Sequence, residues 1–338
     1  MEREFEVIFT MPGEEDYYLF DETLASIFPV LGPAEQYRHR LSSNYLIQCL
    51  VLLSQNQPIA RCAIYFNPNM ELESEKVACI GSFESVNNQN VSSFLLNTAI
   101  EYCRKNEIKK VIGPMEGSTW NSYRFKTNDE NRPYFMEPFH PLYYNDLFRE
   151  VGFSPLAQYE TTIDQTLKYD ASLLNKMEAG FKKQGAKLKN LNLEDFENQL
   201  TEIANLSNRA FAKNHFFTPI SVSDFVEQFN KIKHLINPKL VWLMYDQQDK
   251  LQAFGFGIKD YFDPLNETAI LKTLAREIDA PFAGVGVFLR QKIIQSAMEL
   301  GFSKMIYAYM HTDNFSFKKA EELAPTKYRS YALYSKDL

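Results

Sequence analysis

Gly284 and Gly286, in the stretch DAPFAGVGVFLRQKI, stand where an apolar-periodic helix begins. Glycines at such a start let backbone N–H groups approach an anion, and the helix dipole adds partial positive charge there. The pattern therefore suits a phosphate or pyrophosphate, with Arg290 and Lys292 nearby. It is not a Walker A loop, since no GK[ST] follows. It is not the dinucleotide fingerprint either, since the third glycine is missing. A second chemical concentration lies in IGPMEGSTWNSYRFKTNDENRPYFMEPF, rich in Gly, Pro, Trp, Asn, Tyr and Arg. Ser118, Asn121, Tyr123 and Arg124 can recognise a polar or carboxylate end of a substrate, with Trp120 as an apolar wall. The alternative is a packing loop anchored by Trp120 and Tyr123. His39, His140, His215, His234 and His311 form no HxH or HExxH, so no metal is expected. Cys49, Cys62, Cys79 and Cys103 form no CxxC and read as buried reduced thiols. No G-x-S-x-G elbow supports a serine triad.

The elements that must position these residues occur twice in the same order. Residues 44–66 and 240–258 are β-rich pairs joined by polar turns at 54–58 and 246–250. Each leads through a Pro-containing loop to a third strand, near 76–83 and 267–274. A helix follows each, with Val91, Leu95, Ala99 and Tyr102 on one face in the first, and Val285, Leu289, Ile293 and Leu300 in the second. Short strands then appear at 110–112 and 304–307. Ile59 to Leu251 spans 192 residues, and Leu95 to Leu289 and Val111 to Met305 each span 194. One α/β unit in tandem is the expectation, with domains at 1–165 and 166–338 and a short polar linker at 164–171. The second unit continues with a strand at 185–191 and helices at 193–213 and 222–236.

Length and charge bound the function. The chain has 338 residues, 45% hydrophobic and 23% charged, enough for two cored domains. A net charge of −7 disfavours nucleic acid as a bulk partner. No apolar run approaches the ~20 residues that span a bilayer, so no membrane is expected. The start MEREFEVIF has no basic-then-apolar signal pattern, and the expected compartment is the cytoplasm.

The order of elements, with its glycine turn leading the central helix, resembles the GNAT superfamily of acyl-CoA-dependent N-acyltransferases. The resemblance implies an α/β fold with a mixed (α+β) sheet, used twice. It implies acetyl-CoA or another acyl-CoA as co-substrate, and an amine of a small molecule or peptide as acceptor. Ala283, Gly284, Val285, Gly286 and Val287 match the family's pyrophosphate turn, with Pro281 where the family has Gln or Arg. Asn314 matches an Asn that contacts the cofactor after the fifth strand. Glu321 fills the slot of the usual Tyr acid, leaving Tyr328 and Tyr331 as substitutes. An amine must lose a proton before attack, and Glu277, just before the glycine turn, is the nearest base. The first half resembles a degenerate copy, with Ser92 and Ser93 in place of the glycines and Phe148 in the Tyr position. Two rivals stand beside transfer to an amine: an acyl-CoA-binding protein without catalysis, and an aminoacyl transferase of the peptidoglycan-bridge type.

Overall fold

The computed structural model describes residues 5–28, 41–279, 282–313 and 326–338. The chain divides into two compact units, Met1–Tyr159 with Arg329–Leu338, and Glu160–Tyr328. The break thus falls at 159/160, where the sequence suggests 165/166, and the last ten residues belong with the first unit.

In the first unit β1 (Glu6–Thr10) is followed by α1 (Tyr17–Ile27), β2 (Leu46–Ser54), β3 (Gln57–Tyr65), β4 (Glu71–Leu72) and β5 (Glu75–Ser85). Then come α2 (Gln89–Lys105), β6 (Lys110–Gly113), β7 (Phe125–Lys126), α3 (Tyr144–Glu150) and β8 (Ser154–Asp164), whose end passes into the second unit. Strands β1, β2, β3 and β5 pair antiparallel in that order, and β5 pairs parallel with β6. The parallel step needs a crossover, and α2 supplies it. The apolar stripe of α2, including Val91, Leu95, Leu96, Ala99 and Ile100, packs on Leu50, Leu52, Ile64 and Ile80 of the strands. Each Val, Leu or Ile among them contributes ~1.5–3 kcal/mol on burial. All four cysteines are buried free thiols, and burial pushes Cys103 up to about 12.

The second unit holds α4 (Ala171–Lys183), β9 (Lys187–Asn190), α5 (Phe196–Ala210), α6 (Val222–Ile232), β10 (Val241–Tyr245), β11 (Leu251–Lys259), β12 (Thr268–Arg276), α7 (Val285–Glu299) and β13 (Lys304–His311). Strands β9 to β12 pair antiparallel, and β12 pairs parallel with β13 across α7. Val285, Phe288 and Leu289 of α7 pack with Leu174, Phe181 and Met244, and Ile293, Ile294 and Ala297 with Leu240, Leu271 and Met305. Helix α4 has no counterpart in the sequence reading. It buries only Leu174 and Phe181, too few to announce a helical stripe, and starts on Asp170, whose carboxylate accepts the Leu173 amide at 2.9 Å.

The final strand, β14 (Thr326–Asp337), returns to the first unit: Tyr334 to Asp337 pair antiparallel with Gly113 to Lys110, and Tyr331 and Ala332 pair with β7. The buried Tyr334 hydroxyl donates to Asn145 Oδ1 at 2.7 Å. Between β5 and β6 the chain also closes on itself. The Met115 amide donates to the Ile80 carbonyl at 2.9 Å, and a Cβ at Gly81 would stand 2.5 Å from the Met115 oxygen. Gly81→Ala is therefore expected to destabilise the protein by about 1–3 kcal/mol, because backbone on both sides must shift. Urea unfolding reads this, and an unchanged midpoint would refute the close contact.

Candidate active site

In the second unit, β12 and β13 pair only from Thr268 opposite Lys304 to Leu271 opposite Tyr307, yet β12 runs on to Arg276 and β13 to His311. On its other edge, β12 shifts register at the same point. Thr273 faces Phe256 and Leu271 faces Gly257, which leaves Lys272 as an extra residue. Such a bulge turns the backbone and re-aims side chains, and is common beside active sites. The Lys272 ammonium lies 4.0 Å over the Tyr309 ring. Tyr309 itself holds φ 59, and its amide donates to the Thr161 hydroxyl at 3.2 Å.

Helix α7 begins beyond the end of β12. Gly284 is its N-cap at φ 81, a left-handed conformation that glycine adopts without Cβ strain, and no side chain caps the helix there. The Val285 amide donates to the Phe282 carbonyl at 3.2 Å. The amides of Gly286 and Val287 belong to the first turn, where no intrahelical carbonyl reaches them. Nothing lies within 4 Å of where a Gly286 Cβ would be, and Ala283, Gly284 and Val287 are exposed. The expected basic neighbours are placed differently from the sequence reading. Lys292 points to Glu178 at 3.5 Å and lies 4.6 Å over the Trp242 ring, because a residue seven positions into the helix shares the face packed on α4 and β10. Arg290 faces the Tyr307 phenol, which burial pushes up to about 12 against the pull of that guanidinium.

The matching helix start in the first unit is chemically closed. The Asn88 side-chain oxygen accepts the amides of Asn90 at 2.9 Å and Val91 at 3.3 Å. The Gln89 amide group donates to the Glu150 carboxylate at 2.8 Å, which sets a negative charge beside the same turn. Strand β5 carries a register shift as β12 does: Glu84 faces Arg61 and Gly81 faces Ala63, so Ser82 and Phe83 answer one residue of β3. Here, however, Phe83, Phe125, Tyr144 and Phe148 pack edge to face, with ring centroids 4.9–6.4 Å apart. The Ser82 hydroxyl donates to Glu116 at 2.7 Å.

Glu277, at the end of β12, accepts from Arg209 Nε at 2.8 Å and lies 3.8 Å from Lys250, so two cations hold the carboxylate. Tyr328 is buried at the start of β14. Asn314, Glu321 and Pro281 lie outside the described residues. In the first unit, Ser118 is buried and its hydroxyl accepts the Trp120 amide at 3.2 Å. The Asn121 amide group donates to Ser42 Oγ at 3.0 Å and to the Glu116 carbonyl at 2.8 Å. Arg124 is buried with its guanidinium 3.9 Å over the Tyr123 ring and 4.6 Å over Tyr159. These contacts lie within the first unit, with Asn121 reaching back to Ser42 and Arg124 to Tyr159.

No family model matches the chain, and no curated protein does. Solved structures do. A GCN5-related glucosamine N-acetyltransferase region of a fungal multi-domain β-N-acetylglucosaminidase superposes with a TM-score of 0.59 at 12% identity, over 98% of this chain and 38% of that longer one. A GCN5-related N-acetyltransferase from Sphaerobacter thermophilus gives 0.54 at 8% identity, over 99% and 96% of the two chains. A tandem GNAT protein from the clavulanic acid biosynthesis pathway gives 0.54 at 10% identity, over 98% of each. The chain has a tandem GNAT fold. The fold class read from the sequence, a mixed α/β sheet architecture used twice, is the one observed. Within the GNAT fold, Lys272, Tyr309 and Asn88 were missed by sequence reasoning. A bulge leaves no compositional trace, and a lone Asn before a helix is too common to stand out. Among the described residues, no helix is long and apolar enough to cross a membrane.

Proposed function

We propose that the protein is an acyl-CoA-dependent N-acyltransferase whose second unit holds the donor. Acetyl-CoA or another acyl-CoA is the donor, and an amine of a small molecule or peptide is the acceptor. One observation carries this reading: of the two corresponding helix starts, α2 spends its amides on Asn88, whereas α7 opens on Gly284 and Gly286 with no side-chain cap. A pyrophosphate fits the α7 start, because the first-turn amides of Gly286 and Val287, the helix dipole and the open space at Gly286 all favour a bulky anion. A bound acyl-CoA supplies the activated acyl group as a thioester. In this reading Ala283, Gly284, Val285, Gly286 and Val287 hold the phosphates, with Asn314 as a further contact. The Lys272 bulge turns the backbone where β12 and β13 part. Catalysis is then mostly positioning, with few side chains required.

Tyr328 is the proposed proton donor and Glu277 the proposed base. For Glu277 to serve, Arg209 must release it. Ser118, Trp120, Asn121, Tyr123 and Arg124 are proposed to contribute to recognising the acceptor. The proposed setting is the cytoplasm. The engaged state of Glu277 also favours a second reading, an acyl-CoA-binding protein without catalysis.

Calorimetric titration with acetyl-CoA tests both readings, and a single saturable site is expected. No heat at millimolar ligand would overturn both. Free-thiol release on a panel of amines then separates enzyme from binder.

A further inference from the structure

We propose that the second unit carries a binding site for a borderline divalent transition metal, of which zinc is the type, built from His215, His311 and Asp313. Along the sequence these residues show no metal motif, because His215 and His311 stand 96 positions apart. The fold brings them together. One ligand atom of each lies within 4.8 Å of the others. The two imidazoles are stacked, with ring centroids 5.0 Å apart and planes 25° from parallel. His311 Nδ1 lies 3.8 Å from the Asp313 carboxylate, and a metal on this nitrogen would take the place of the Asp313 amide that it accepts at 3.1 Å. The ligand atoms of a tetrahedral zinc stand about 3.3 Å apart, given bond lengths of about 2.0–2.1 Å. Side-chain rotation covers the difference, since the Asp313 side chain is 80% exposed and His215 is exposed.

Both histidines sit beside bulky residues in the left-handed region. Phe216, next to His215, has φ 58, and Tyr309, two residues before His311, has φ 59. Each is held by hydrogen bonds: Phe217 to the Asn214 carbonyl at 3.2 Å, and Tyr309 to Thr161. Such conformations persist where surrounding structure over-determines them, and they concentrate at binding sites. The donor set selects the metal. Two imidazoles with one carboxylate suit zinc, nickel or copper(II), whereas magnesium and calcium prefer all-oxygen sites. Three protein ligands leave one tetrahedral position for water. The metal would pin the turn after α5 to the end of β13.

The test is zinc titration of the metal-free full chain against a chromophoric chelator. One zinc per chain is expected. His215→Ala and His311→Ala should each weaken it at least about 30-fold, since even residues behind a metal ligand are worth about 10–100-fold. His234→Ala, in the same unit, should leave affinity unchanged. Absence of zinc binding by the unaltered chain, or an affinity in both histidine variants equal to that of the unaltered chain, would overturn the proposal. Should a variant fail to fold, cobalt(II) added to the unaltered chain decides. Visible absorption of a four-coordinate nitrogen–oxygen site supports it, and the spectrum of the hexaaquo ion refutes it.

Discussion

Arg329→Ala is expected to cost the first unit about 3–5 kcal/mol, the toll of breaking a buried ion pair. The Arg329 side chain is 0% exposed and its partner Glu137 is 2% exposed. All five guanidinium N–H groups have acceptors. Nε donates to Glu137 at 2.9 Å. One terminal nitrogen reaches the Asn128 carbonyl at 2.8 Å and Asp129 at 3.1 Å. The other reaches the carbonyls of Asn131 at 2.6 Å and Arg132 at 3.1 Å. The Tyr331 hydroxyl donates to the same Glu137 oxygen at 2.8 Å. The returning strand β14 thereby organises the loop at 128–137. Burial already pushes the Glu137 carboxyl above its ordinary range, with Arg329 pulling it back. Without Arg329 the native state binds that proton more tightly than the unfolded chain does. The defect should therefore be smallest below the unfolded value near ~4.3, and should grow as pH rises through the folded value. Thermal melts from pH 4 to 8 check this. Adding Glu137→Gln should restore part of the loss at neutral pH, because an amide needs no countercharge. A melting temperature that moves by less than about 3 °C would show the hub to be dispensable.

Gly286→Glu is expected to weaken acetyl-CoA binding at least about 30-fold, or about 2 kcal/mol, without harming the fold. Nothing stands within 4 Å of the added Cβ, and the position has no left-handed φ. A carboxylate in the first turn also stabilises the helix by ~0.3–1 kcal/mol through the dipole. The same charge would occupy the space proposed for the pyrophosphate and repel it. Calorimetry with acetyl-CoA, paired with a thermal melt, reads both effects. An intact fold with unchanged affinity would place the donor elsewhere.

Much of the fold was legible because its signals are local. The hairpins at β2–β3 and β10–β11 showed as β-rich runs around polar turns, and α2 and α7 as apolar stripes at helical spacing. Helix α4 was missed because two buried residues make no stripe. The glycine turn was visible since Gly284 and Gly286 stand at the first turn of an apolar-periodic helix. That the corresponding start in the first unit is closed was only half visible. Ser92 and Ser93 marked lost glycines, but the closure comes from Asn88 and from the Met115 and Glu116 chain lying against Gly81 and Ser82.

What the sequence determined by itself was the repeated order of elements, the apolar faces and the open start of α7. Each depends on residues within a few turns of one another. Only the tertiary structure decided that Arg329 closes a hub with Glu137, that Glu277 is held by Arg209, that Lys292 turns to Glu178, and that His215 meets His311. Those pairings join residues 68 to 192 positions apart. Backbone pairing and core packing choose such partners, and no periodicity along the chain encodes them.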